Sequence, residues 1–226
     1  MLFTSAAPGP YDLRFSLFGV PVRITPVFWI VSLFLGGGRP PEYAIVWVVA
    51  VLISILVHEL GHAVLQRAFG GRPEIVLYAF GGYASAYGVR ESWWRNILIA
   101  LAGPFAGFFL AGLVWGYLQF AGEPEAPLAS VFVSDMLVIN IFWGVLNLFP
   151  IWPLDGGRVA REVLTLLMKP STGIVVSLAI SAVVAAGLAI WCYVETQSIW
   201  NTALFGMLAY QSYETMRQYR ASRGGW

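Results

Sequence analysis

The sequence predicts an α-helical polytopic membrane protein with about six transmembrane helices and a small membrane-associated β-sheet. Three observations predict it. The chain is 58% hydrophobic and only 11% charged, with a mean hydropathy of +0.72. A typical soluble domain is about 25% charged, so this much apolar surface calls for lipid as solvent. Apolar runs of helical length recur between turn signals. The Lys and Arg residues gather at alternate ends of those runs.

The elements follow in order. Phe15 to Thr25 (FSLFGVPVRIT) reads as a short hairpin or interfacial segment, with Gly19-Val20-Pro21 as its turn. Pro26 to Leu35 is apolar but short, and Gly36-Gly37-Gly38-Arg39-Pro40-Pro41 breaks it. Glu42 to Phe69 is a long helix, stopped by Gly70-Gly71-Arg72-Pro73. Glu74 to Tyr87 (EIVLYAFGGYASAY) is β-branched and aromatic around Gly81-Gly82, the pattern of two short strands. Ser92 to Phe120 and Val131 to Phe149 are further spans, and Pro150 ends the second. Gly156 to Met168 has room for a short helix. Gly173 to Val194 and Ile199 to Tyr219 complete the six. The whole of 1–226 reads as one integral-membrane domain, with a core over about 42–165 and accessory helices over about 26–36 and 173–219.

The basic residues orient it. Arg14 and Arg23 precede the first span. Arg67, Arg72, Arg90 and Arg95 follow the second. Arg158, Arg161 and Lys169 follow the fourth, and Arg217, Arg220 and Arg223 the sixth. Lys and Arg mark the cytoplasmic side, so both termini are expected there. A formal net charge of +1 offers no basic face for nucleic acid. The single cysteine, Cys192, excludes an intrachain disulfide and a cysteine-based zinc knuckle. The amino-terminal MLFTSAAPGPYDLR lacks the order of a signal peptide.

Chemistry concentrates in one place. Within the second apolar run stands His58-Glu59-Leu60-Gly61-His62, and its two histidines are the only ones in the chain. Residues four apart fall about 40° from each other on one helix face. Two imidazoles there can share one ion, with Glu59 beside them as a base. This is the His-Glu-x-x-His pattern of zinc hydrolases. Ionisable groups inside a span are costly and usually functional. Without a third histidine, the third ligand must be a carboxylate. Asp135 sits toward the non-cytoplasmic side of the fourth span. Asp155 follows the irregular stretch Pro150 to Leu154. Non-helical backbone at membrane depth is tolerated only when buried or lining a cavity, and this loop enters from the same side as His58. Asp155 is therefore the expected ligand. The competing role for it is to cap the helix starting at Gly156.

Three stretches together are similar to one family. HELGH, then LAGPFAG (Leu101 to Gly107), then NLFPIWPLDGGR (Asn147 to Arg158) resemble the site-2 protease family of intramembrane zinc metalloproteases. FGVPVRIT and FGGYA (Phe80 to Ala84) also resemble family elements. The resemblance implies a three-helix catalytic core and one Zn2+ held by His58, His62 and Asp155, with Glu59 as general base. It gives Asn140 and Asn147 two readings: substrate-orienting or oxyanion-binding groups, or interhelical hydrogen bonds. It likewise gives the Gly81-Gly82 strands two readings: an edge that pairs with an unwound substrate, or a hairpin that only plugs the cavity. LAGPFAG reads as scaffold against the HELGH helix. Thr25 departs from the family, where many relatives carry a histidine. Ala121 to Ser130 is too short for a PDZ domain, and no CBS pair fits after Tyr219, so the expected form is minimal. The implied activity is hydrolysis of peptide bonds in or near transmembrane segments of substrate proteins. The implied setting is a prokaryotic plasma membrane, with the site nearer the cytoplasmic face. The partners are the bilayer and a transmembrane protein substrate, with a regulatory membrane partner or homo-oligomer left open. The alternative is a non-enzymatic metal-binding protein, or an inactive relative that binds helices.

Overall fold

The computed structural model describes residues 8–79, 81–90 and 92–223. The first seven residues of the amino-terminal stretch, and Phe80 of FGGYA, lie outside them. The order is β1 (Leu13–Leu17), β2 (Val20–Ile24), α1 (Pro26–Leu35), α2 (Pro41–Ala68), β3 (Arg72–Tyr78), β4 (Gly81–Tyr87), α3 (Trp93–Ala121), α4 (Pro127–Asn147), α5 (Asp155–Leu167), α6 (Pro170–Trp191) and α7 (Ile199–Arg223). The chain forms two compact units, Met1–Arg90 with Ala102–Gly144 and Glu91–Leu101 with Val145–Trp226. Helices α3 and α4 contribute to both.

The first unit holds a four-stranded sheet in the order β1-β2-β3-β4. The β1–β2 hairpin turns at Phe18-Gly19, with φ of 50° and 73°. Two positive φ values make the turn whose twist suits a two-residue hairpin. The turn is thus earlier than the expected Gly19-Val20-Pro21, and Val20 and Pro21 belong to β2. Pro21 has no N–H to give, and the parallel pairing with β3 begins just after it, at Val22↔Ile75. That pairing is parallel because the chain returns through α1 and α2. β3 and β4 pair antiparallel from Arg72↔Tyr87 to Tyr78↔Gly81. They are the two strands expected around Gly81-Gly82. Val20, Val22, Ile24, Ile75 and Leu77 form one apolar face. It packs with Ala50, Val51, Ile55 and Ala63 of α2 and with Met136 and Ile139 of α4.

All six expected helices are present, but they are not equals. Among the described residues, α2, α3, α4 and α6 with its extension to Thr196 are long and apolar enough to cross a membrane. The extension, Cys192–Thr196, is a π-helical turn. α1 has 10 residues, about 15 Å at 1.5 Å per residue, half the roughly 30 Å hydrocarbon core. α7 has 25 residues but carries Gln211, Glu214, Arg217 and Arg220 in its second half, and it is not among the apolar spans.

In the second unit, α6 packs on both α5 and α7. α5 is amphipathic. Arg158, Arg161, Glu162 and Thr165 share one arc, and Val159, Ala160, Val163 and Leu164 share the other. Asn96 of α3 donates to Glu162 Oε1 at 2.9 Å, which ties α5 to its neighbour.

Asp135, the carboxylate not favoured as a ligand, is occupied elsewhere. Arg39 grips it through two hydrogen bonds of 2.6 and 3.1 Å. The guanidinium also lies 4.7 Å from the ring centre of Trp47, whose indole N–H donates to Ser32 O at 3.0 Å. The α1–α2 loop is thereby fastened to α4. Replacing Arg39 by Leu strands a buried carboxylate, which costs about 2 kcal/mol. The expected outcome is a lower melting temperature in detergent, largely restored in the Arg39→Leu/Asp135→Leu double variant. A single variant as stable as wild type would contradict it.

Candidate metal and catalytic site

Helix α2 sets the geometry of the first unit's site. His58, Glu59 and His62 are all buried in it. The spacing of four places the two rings edge to face, 83° apart, with Nε2 atoms 3.2 Å from each other. Two imidazole nitrogens that close need a proton or a cation between them. What lets them converge is a missing side chain on α3. A Cβ placed on Gly103 would lie against His62 Nε2 and 2.7 Å from His58 Nε2. Gly61 makes the approach of α3 to α2 close. A Cβ there would strike the Ala102 carbonyl and sit 2.9 Å from Ala106 Cβ. Small residues allow that separation. LAGPFAG is therefore scaffold, as expected, and through Gly103 it also bounds the imidazole pair.

Glu59 points differently. It is buried, and its Oε2 has no hydrogen-bond partner. Strand β4 stands directly against it. A Cβ on Gly82 would be 2.7 Å from Glu59 Cγ and 2.9 Å from Oε1. Gly81 has open space where its Cβ would be. The two glycines are thus not equivalent. Gly82 is needed for contact with Glu59, while Gly81 opens the strand opposite Tyr78. Asn140 is buried, and its amide donates to Ser54 Oγ at 2.8 Å and to Met136 O at 2.7 Å. These are bonds between α4 and α2 and within α4.

The second unit holds Asn147 and Asp155. Asn147 is buried at the end of α4. Asp155 is buried as the first residue of α5. Leu154 is the N-cap, without a side-chain cap hydrogen bond, and Asp155 stands in the first turn. The stretch before it is irregular and tightly held. Ser181 of α6 accepts from Trp152 N at 3.0 Å and donates to Pro150 O at 3.1 Å. Ser212 of α7 donates to Trp152 O at 3.2 Å. Arg161 stacks 3.7 Å above the Trp152 ring, and burial pushes its pKa down. A Cβ on Gly157 would press 2.5 Å from the Ile151 carbonyl, so the loop folds back on its own helix start. Arg158 Nη1 lies 3.8 Å from Asp155 Oδ1.

Among the described residues, one group of three buried side chains could hold a metal ion: His58, His62 and Asp155, each offering one ligand atom. Two imidazoles and a carboxylate suit a borderline divalent ion and leave a position open in a tetrahedral site. The model of peptidase family M50 matches residues 46–132 and 122–190, which span all three donors. The chain belongs to peptidase family M50. The resemblance drawn from HELGH, LAGPFAG and NLFPIWPLDGGR is thereby borne out. A zinc metalloprotease of Methanocaldococcus jannaschii is 27% identical over 160 residues, 69% of this chain and 46% of its own length. Stage IV sporulation protein FB of Bacillus subtilis is 27% identical over 142 residues, 61% of this chain and 46% of its own. The chain thus spans less than half the length of either relative. The solved site-2 protease from Methanocaldococcus jannaschii shares the fold. Its TM-score is 0.64 at 22% identity, covering 90% of this chain and 94% of that one. With four apolar helices of spanning length, this M50 member is an integral membrane protein.

Contacts of four residues escape a motif-based reading of this M50 chain. Gly103 had a packing signal but no link to the histidines. Ser181 and Ser212 are serines in or beside apolar helices, where a serine often bonds only its own helix. Gln66, whose amide donates to Ala84 O at 3.0 Å, lies one turn after His62, and that spacing was the available clue. The cradle at Gly103 yields a test. Gly103→Ala puts a methyl group against both Nε2 atoms, so it is expected to abolish stoichiometric zinc, read by elemental analysis, while the circular dichroism spectrum is kept. Full zinc content in a folded Gly103→Ala protein would show that the two nitrogens do not face a shared ion.

Proposed function

We propose that the protein is a zinc-dependent intramembrane endopeptidase that cuts peptide bonds in or near transmembrane segments of other proteins. The observation that carries the reading is the buried Glu59 carboxylate. It has an oxygen without a hydrogen-bond partner, one residue from a histidine pair whose nitrogens converge. The Methanocaldococcus relative is a zinc metalloprotease, which supports the same metal and reaction.

His58, His62 and Asp155 would hold the zinc, which supplies Lewis acidity at an open coordination position. Glu59 does the proton work. Its carboxylate takes a proton from water as the water oxygen bonds to the substrate carbonyl carbon. It then passes that proton to the amide nitrogen as the C–N bond breaks. The buried position of Asn147 suits a donor to the substrate backbone or the developing oxyanion. Asn140, whose amide donates to Ser54 and Met136, is the second candidate for that role. A transmembrane helix must unwind locally to be cut, because its carbonyls are otherwise engaged. The outer edge of β4 offers an unwound segment backbone partners by strand addition. The Lys and Arg distribution supports cytoplasmic termini and a site nearer the cytoplasmic face.

The test is Glu59→Gln, which keeps size and removes the base. Cleavage of a transmembrane substrate reconstituted with the protein is expected to fall by roughly 10²-fold or more, with zinc content unchanged. Wild-type cleavage by Glu59→Gln would end the proposal.

A further inference from the structure

Gln66 is a buried side chain with no part in the reaction as described. It lies seven residues after Glu59 on α2. Seven residues of helix bring a side chain back to within about 20° of its starting direction. Glu59 and Gln66 therefore face the same way, about two turns apart. What they face is strand β4. Gly82 stands against Glu59, with its ideal Cβ position 2.9 Å from Oε1. Two residues along the strand, Ala84 O accepts a hydrogen bond of 3.0 Å from Gln66 Nε2. β4 thus meets α2 at both residues, and one of them is the carboxylate.

β4 packs along α2, and Ala84 also meets the apolar core that α2 shares. Its sequence is GGYASAY, with few large side chains, and Tyr87 at its end is exposed. The ladder to β3 fixes its register, and the Gln66 amide adds a hydrogen bond from α2 to its backbone. Gln66 is also a costly choice for packing. Its Oε1 is buried with no hydrogen-bond partner, a penalty that leucine would not carry. Residues that break a local rule in this way are expected where function needs them.

We propose that Gln66 is a positioning residue: its amide holds β4 at the distance from α2 that sets the Glu59 carboxylate through Gly82. The inference rests on the reading of Glu59 as the general base.

The test compares wild type with Gln66→Leu and Gln66→Met, two variants that fill the space without donating to Ala84. The full chain is reconstituted in liposomes. The probe is a quenched-fluorescence single-span transmembrane peptide, taken as the fastest-cut member of a random panel. Both variants are expected to keep wild-type zinc per chain and a KM within about twofold, while kcat falls roughly 10- to 100-fold. Hydrogen exchange should speed up in residues 81–87 and stay unchanged in 72–78. A purely structural role would instead lower zinc content and melting temperature together. Wild-type kcat in both variants beside an inactive Glu59→Gln would overturn the positioning role and leave the proposed function standing. Unchanged exchange across β4 would overturn it whatever the cleavage rate. Full activity of Glu59→Gln would remove both readings.

Discussion

Two imidazoles held 3.2 Å apart inside an apolar helix are the constraint on which the rest of the first unit depends. Such a pair is stable only if something accepts both nitrogens and nothing bulky stands between. The first condition is met by a proton or by a bound cation. The second calls for a neighbouring helix that is bare at one position, and Gly103 provides it. A bare position is useful only if the helix comes close, which requires Gly61, Ala102 and Ala106. The small-residue run in α3 thus follows from the histidines in α2.

The same economy governs the second unit. A non-helical stretch between α4 and α5 leaves backbone groups that need partners. Ser181 and Ser212 supply them to Pro150 and Trp152. Both serines lie on helices outside the expected catalytic core. Their helices are therefore more than lipid-facing cover: they fix the segment that leads into Asp155. Arg39 and Asp135 play a comparable part in the first unit, where a charged pair closes the α1–α2 loop on α4.

Much of this was legible in the sequence, because membrane helices and metal-binding histidines leave strong local signals. The span of α2, the HELGH triad and the Asp155 loop follow from hydropathy, spacing and the position of Pro150. The hairpin turn was misplaced because Phe18 adopts a left-handed conformation unusual for a residue without glycine's freedom. Pro21 then looked like the turn, although it sits in β2. Of the six expected spans, four have both the length and the composition of a membrane helix, while α1 is short and α7 carries charge in its second half. The roles of Gly82, Gly103 and Gln66 were beyond reach for a different reason. Each is defined by a contact across many residues of sequence, between an absent or small group and a distant side chain, and no periodicity encodes that.

Zinc K-edge X-ray absorption on the purified protein tests the central claim most directly, because it reads the ligands. Two imidazole nitrogens at about 2.0–2.1 Å together with carboxylate oxygen are predicted for wild type. The imidazole contribution should halve in any zinc retained by His62→Ala. A site with oxygen ligands alone, or a folded wild type that binds no zinc, would contradict the account.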